Sequence, residues 1–202
     1  MMATHAFVRQ IGEIYRLKVP FESLYTSVFL VKTENVNVLV DCATYDSDVD
    51  TYILPALQKA GLSLTDIEYL VLTHSHGDHA GGKGRILQLN PNVKIIENEQ
   101  EKLPNGLTMY ALKGHTLDCI GVFDERTGTL IVGDGLQGAG VGKYRCSLQS
   151  KEEYIKTIIK IQQNKNIKNV LFSHAYEPWY KDCALGREQV EKCLQDCLQY
   201  VK

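Results

Sequence analysis

The chain has 202 residues, 44% of them hydrophobic, and a formal net charge of −2. That length holds one domain with a full core or two small ones, and the composition is ordinary for a globular protein. Charges of both signs are mixed along the chain with no basic block, which argues against nucleic acid or an anionic membrane surface as the main partner.

The opening stretch MMATHAFVRQIGEIYRLKVPF carries charges every few positions and no apolar core, so no secretion signal is expected. No apolar run anywhere approaches the roughly 18 residues of a membrane helix, and a cytoplasmic protein is the expectation. TSVFLVKTENVNVLVDCA reads as two strands around a turn at Glu34 and Asn35, ending at Asp41. Asp48 to Ala60 follows as a helix with Val49, Tyr52, Ile53, Ala56, Leu57 and Ala60 on its apolar side, stopped by Gly61 and bent at Pro55. IEYLVLT is a short buried strand running straight into THSHGDHAGG, and GKGRILQLN predicts a helix closed by Pro91.

Short strands are expected at Val93 to Ile96, Leu107 to Leu112, Cys119 to Phe123 and Thr129 to Val132, with a turn at Arg126, Thr127 and Gly128 between the last two. Gly133 to Gly142 is glycine-rich. Ser150 with Glu153 forms a capping box, opening a helix with Tyr154, Ile155, Ile158, Ile159 and Gln162. NVLFSHA predicts the final strand. The last helix carries Val190, Cys193, Leu194, Cys197, Leu198 and Val201 as an apolar stripe. No linker rich in Pro, Gly or Ser splits the chain, so one α/β domain over 1–202 is expected. The six cysteines form no CxxC pair, and free thiols are expected. Cys193 and Cys197 read as core residues.

Five of the six histidines fall at strand ends or in the first turn beyond: His74, His76, His79, His115 and His174. Independent local roles for each would scatter them over helices and surface. His74 and His76, two apart after a strand, can face one point. Asp78 and His79 diverge from each other and suit a second point nearby. Glycines at 77, 81 and 82 let the backbone turn tightly enough for convergence. Such a loop offers ligands for two metals. Asp134 in LIVGDGLQ stands at another strand end and adds a further donor.

These motifs together, with GHT and SHAYE, resemble the metallo-β-lactamase fold superfamily over nearly the whole chain. The resemblance implies an αββα four-layer sandwich, two mixed sheets flanked by helices. It implies one metal held by His74, His76 and His115, a second by Asp78, His79 and His174, and Asp134 bridging both. Asp41 matches the carboxylate that orients a ligand histidine. Imidazole and carboxylate donors suit two zinc ions, with iron or manganese as alternatives. Two close cations lower the pKa of a bridging water toward neutrality, so a hydroxide attack on a carbonyl is implied, with Asp78 and Asp134 as the catalytic carboxylates.

Lactam-cleaving members lack the bridging aspartate, and the nuclease branch adds an inserted domain and a basic groove. VGDGLQGAGVGKYR instead resembles the glyoxalase II branch of hydroxyacyl-thiol hydrolases. That likeness implies substrate contacts from Lys143 and Tyr144, and HAY in place of HEY puts Tyr176 beside the pocket. GHTLDC stands where the branch has GHTPGH, and the sequence ends about where the branch adds its glutathione-binding helical domain. Hydrolysis of a thioester or another acyl substrate stays consistent with these departures, and the thiol part of the substrate is left open. Gly133, Gly135 and Gly138 formally match G-x-G-x-x-G, but no helix opens there, and Gln137 and Tyr144 break a P-loop.

Three functions are consistent with this sequence. The first is a dinuclear hydrolase of a thioester, ester or lactone of a small metabolite. The second is a mononuclear iron persulfide dioxygenase-like enzyme using His74, His115 and Asp134. The third is a non-catalytic metal-binding module, which has no need of open coordination positions. The expected partner is a small acyl substrate, and the oligomeric state stays open, a homodimer included.

Overall fold

The computed structural model describes residues 5–137, 148–175 and 181–201. Lys143, Tyr144, Cys146 and Tyr176 lie outside the described residues. The chain divides into two compact units, Met1–Glu97 and Asn98–Lys202.

The first unit is built on a six-stranded sheet in the order β1-β2-β3-β4-β5-β6. Its strands are β1 (Val8–Ile11), β2 (Ile14–Phe21), β3 (Leu24–Lys32), β4 (Asn37–Val40), β5 (Tyr69–Val71) and β6 (Lys94–Ile96). The first four pair antiparallel and the last two join in parallel, so the sheet is mixed. Alternation along the strands puts Leu17, Val19, Val28, Leu30, Leu39 and Leu70 on one face, in a core with Val49, Ile53, Ala56, Leu57 and Ile86 from the helices.

The expected helix at 48–60 is present but not uniform. It starts as α1 (Asp46–Asp48), widens into a π-helical turn at Val49–Ile53, and continues as α2 (Leu54–Lys59). The Asp48 carboxylate accepts from the backbone N–H of Thr44 and Tyr45, at 3.1 and 3.0 Å, which satisfies donors at the helix start. Pro55 has no N–H and its ring crowds the preceding turn, so the widened turn stands where the expected bend would be. Gly61, at φ 74°, closes the helix, with Leu62 N–H donating to Leu57 O at 2.9 Å. A 3-10 turn at Leu64–Asp66 leads to β5, then come α3 (Gly77–Ala80) and α4 (Lys83–Leu89).

The second unit holds a five-stranded mixed sheet in the order β11-β10-β9-β8-β7. Its strands are β7 (Leu107–Ala111), β8 (Ile120–Asp124), β9 (Thr129–Ile131), β10 (Asn169–Leu171) and β11 (Cys183–Leu185). Helices α5 (Lys151–Gln163) and α6 (Arg187–Val201) cover one face of it. Tyr154, Ile158 and Ile161 from α5 and Val190, Leu194, Cys197 and Val201 from α6 share a core with Leu112, Phe123, Leu130, Val170 and Phe172. The Ser150 hydroxyl accepts from Glu153 N–H at 3.2 Å, as its place at the helix start predicts.

Three strands escape the sequence reading. β1 and β2 lie in the stretch read only for targeting, and Arg16 and Lys18 interrupt the apolar pattern of β2. β11 follows the strand expected to be last and pairs antiparallel with β10. It has three residues, too few for a periodicity to show. The apolar stripe of α5 also differs. Ile159 is 42% exposed, because residues 154, 158 and 161 define the inward face and 159 lies more than a third of a turn from its centre.

Glycine is required where α3 meets the end of β4. A Cβ at Gly81 would lie 1.8 Å from Thr44 O and 2.6 Å from Gly77 O, both backbone atoms. Gly81→Ala is therefore expected to destabilise the fold by about 3 kcal/mol. Gly77→Ala, with nothing within 4 Å of the new methyl, should stay within about 0.5 kcal/mol of the wild type. Urea unfolding of the two variants checks this, and equal midpoints would contradict it.

Candidate metal-ligand clusters

In the first unit, β5 ends at Val71 and the chain turns through His74, Ser75 and His76 into α3, which carries Asp78 and His79. The turn is fixed against the end of β4 by backbone bonds. Asp41 N–H donates to Val71 O, Cys42 N–H to His79 O and Gly81 N–H to Ala43 O, at 2.8, 2.8 and 3.0 Å. Asp41 and Ala43 both sit at φ 63°, which re-aims the chain as it leaves β4.

Asp41 is fully buried, and its two oxygens have defined partners. Oδ1 accepts from Thr73 N–H at 2.8 Å. Oδ2 accepts from Thr73 Oγ1 at 2.9 Å and from His79 Nδ1 at 2.7 Å. A carboxylate at Nδ1 keeps the ring proton there and leaves Nε2 as the lone-pair donor. The Asp78 carboxylate lies 3.3 Å from that same His79 Nε2. The rings of His74 and His79 stand 4.1 Å apart, and those of His74 and His76 4.7 Å apart. His74 and His79 are buried, Asp78 is half-buried and His76 is exposed. The structure thus brings His74, His76, Asp78, His79 and Asp41 together. Thr73 was missed by sequence reasoning, although a hydroxyl directly before His74 at a strand end was the available signal.

The second unit gathers His115, Asp134 and His174, all nearly buried. His115 lies in the turn after β7, Asp134 follows β9 and His174 follows β10. His115 Nε2 is 3.8 Å from Asp134 Oδ2, and His174 Nε2 is 3.4 Å from Asp134 Oδ1. One carboxylate therefore presents a different oxygen to each imidazole. The close fit needs glycine nearby. Gly133 sits at φ 53°, and a Cβ at Gly135 would lie 2.7 Å from Leu112 Cβ.

Nothing in either cluster favours a cysteine nucleophile. Burial, then the Asp41 charge, pushes the Cys42 thiol far up, and its Sγ donates to His79 O at 3.3 Å. Burial pushes Cys119 up to about 11. A thiol held protonated is a weak nucleophile. The five cysteines among the described residues are free, as expected. No helix of the described residues is long and apolar enough to cross a membrane.

Residues 23–110 match the family model of the metallo-beta-lactamase superfamily. A hydroxyacylglutathione hydrolase of Vibrio cholerae is 24% identical over 75% of this chain and 68% of its own length. One from Vibrio campbellii is 28% identical over the same shares. An atrochrysone carboxyl ACP thioesterase of Pseudocercospora fijiensis is 28% identical over 62% of this chain and 43% of its own. Among solved structures, a metallo-beta-lactamase of Pseudomonas aeruginosa in its mono-zinc form superposes with TM-score 0.74 at 16% identity, covering 100% of this chain and 97% of that one. A metallo-beta-lactamase from Pontibacter korlensis gives 0.72 at 18% identity, covering 99% of each chain. The structural likenesses show the fold expected from the sequence: α/β, with two mixed sheets flanked by helices. The family match takes in the His-rich segment of the first unit, and the hydrolases that this chain is similar to match it at low identity.

Proposed function

We propose that the two clusters act together as one dinuclear centre in a single domain over 1–202, hydrolysing a thioester, ester or lactone of a small metabolite. In this reading His74, His76 and His115 hold one ion, Asp78, His79 and His174 hold the other, and Asp134 bridges them. The observation that carries the reading is the Asp134 carboxylate, with Oδ2 turned to His115 Nε2 and Oδ1 to His174 Nε2. A carboxylate serving one ion alone has no need to divide its oxygens between two imidazoles. The donor set, imidazole nitrogens and carboxylate oxygens, fits zinc, with iron or manganese as the alternatives.

Two bound divalent ions would supply a water of near-neutral pKa and a Lewis acid for the acyl carbonyl. The chain's own residues do the positioning. Asp41 holds the His79 ring by its Nδ1 proton and ties Thr73, and with it the start of the His74 turn, to the end of β4. The half-buried Asp78 and the nearly buried Asp134 supply the negative charge that keeps two cations in a low-dielectric site. Lys143, Tyr144 and Tyr176 are proposed as contacts to the thiol side of the substrate. The hydroxyacylglutathione hydrolases and the ACP thioesterase among the relatives, named for thioester cleavage, support this substrate class. A cytoplasmic location is proposed with it.

Elemental analysis of protein purified without added metal, followed by a thioester and lactone panel, tests the proposal. The expected result is about two zinc per chain and hydrolysis that is lost on chelation. About one iron per chain with no hydrolysis would replace the reading with thiol or persulfide oxidation.

A further inference from the structure

The turn that carries His115 spans residues 113–117 and belongs to no helix or strand. Its shape is imposed by the start of α5. Thr157 Oγ1 donates to Lys113 O at 2.7 Å, and Ser150 N–H donates to Gly114 O at 3.0 Å. Gly114 sits at φ 147°, and a Cβ there would lie 2.5 Å from Tyr154 Cβ, so α5 presses directly on the residue before the ligand. Gln149 makes two bonds to this turn. Its backbone N–H donates to His115 O at 3.1 Å, and its side-chain Oε1 accepts from Leu117 N–H at 2.8 Å.

We propose that Gln149 is a positioning residue for His115. Resting on the dinuclear reading, it holds the turn in the shape that presents Nε2 beside Asp134. Gln149 is exposed, and so it contributes little to the core. Leu117 is 49% exposed, so no burial of its side chain keeps the turn in place. With no helix or strand to order residues 113–117, the bonds from Gln149, Ser150 and Thr157 hold the backbone that carries the imidazole. The backbone bond from Gln149 to His115 survives any replacement of the side chain. A substitution therefore isolates the Oε1 contact. Gln149→Ala removes it, and Gln149→Glu keeps an acceptor oxygen at the same reach.

Wild type and both variants would be compared in two measurements: amide exchange of Leu117 in the metal-free protein, and zinc affinity by chelator competition. For Gln149→Ala the expectation is faster Leu117 exchange and zinc affinity weakened about three- to tenfold, the worth of one ordinary hydrogen bond. Gln149→Glu should stay within about twofold of wild type, and the thermal midpoints of all three should agree within about 2 °C. A loss of zinc affinity in Gln149→Ala, restored by glutamate while the thermal midpoint stays put, is what a merely stabilising role for this side chain would not produce. Zinc affinity unchanged in Gln149→Ala, or equally weakened in both variants, would overturn the positioning role. A wild type that takes up no divalent ion would instead sink the dinuclear reading itself, and the two failures are told apart by the wild-type titration alone.

Discussion

Asp134→Ala is expected to reduce hydrolysis by about 10³-fold, while the protein keeps its fold and retains at most one tightly bound ion. The size follows from the geometry. Each oxygen of this carboxylate faces a separate imidazole, at 3.8 and 3.4 Å. Truncation thus removes a donor from both proposed ion positions at once, and brings closer the repulsion of two cations with no anion between them. Several kcal/mol of transition-state stabilisation go with the second ion, and each 1.36 kcal/mol is tenfold in rate. Asp134→Asn is the sharper variant. It preserves volume, but one oxygen becomes an amide nitrogen with no lone pair to give. If the bridge is real, Asn should lose nearly as much activity as Ala. An Asn variant with two ions per chain and near-normal turnover would show that Asp134 does not bridge. Ion content and kcat, measured on the same preparations, decide between these outcomes.

Asp41→Asn should cost about 3 kcal/mol of stability and weaken metal binding about 10- to 100-fold. Three donors converge on the fully buried carboxylate: Thr73 N–H, Thr73 Oγ1 and His79 Nδ1. An amide has one oxygen to offer them and turns its own N–H groups toward at least one donor, which leaves a buried donor without an acceptor. The His79 ring then loses the partner that fixes its tautomer, and Nε2 is no longer committed to a ligand. Asparagine is the informative choice because Asp41 sits at φ 63°, a region that Asn enters as readily as Asp and alanine enters at a greater steric cost. A loss in the Asn variant therefore reports on the carboxylate, not on the backbone. Urea unfolding of the metal-free protein and a zinc titration read the two parts separately. If Asn matched wild type in both, Asp41 would be an ordinary buried polar residue.

The histidines were legible because strand ends are. A short apolar run such as YLV, followed by THSHGDH, places its ligands just past β5 through local pattern alone. His115 after β7, Asp134 after β9 and His174 after β10 were found in the same way, each from the end of one hydrophobic segment. The helix starting at Ser150 and the stop at Gly61 were equally local, set by a hydroxyl that can accept a backbone bond and a residue that tolerates positive φ.

What the sequence by itself determined was which residues could serve as ligands and roughly where each element lay. Only the tertiary structure decided the contacts that aim them. That Asp41 serves Thr73 and His79 together depends on β4 and β5 pairing in parallel across a helix. That Gln149 bonds both His115 and Leu117 depends on the start of α5 returning over the end of β7. The strands β1, β2 and β11 belong to the same class. β11 is three residues long and exists through its pairing with β10, and in β2 the buried Arg16 lays its guanidinium 5.0 Å from the ring centre of Phe29 on β3. The physical reason is one of range. Periodicity, capping and turn chemistry act within a few residues, whereas sheet pairing and the hydrogen bonds that orient a ligand join residues tens of positions apart, whose meeting no local pattern encodes.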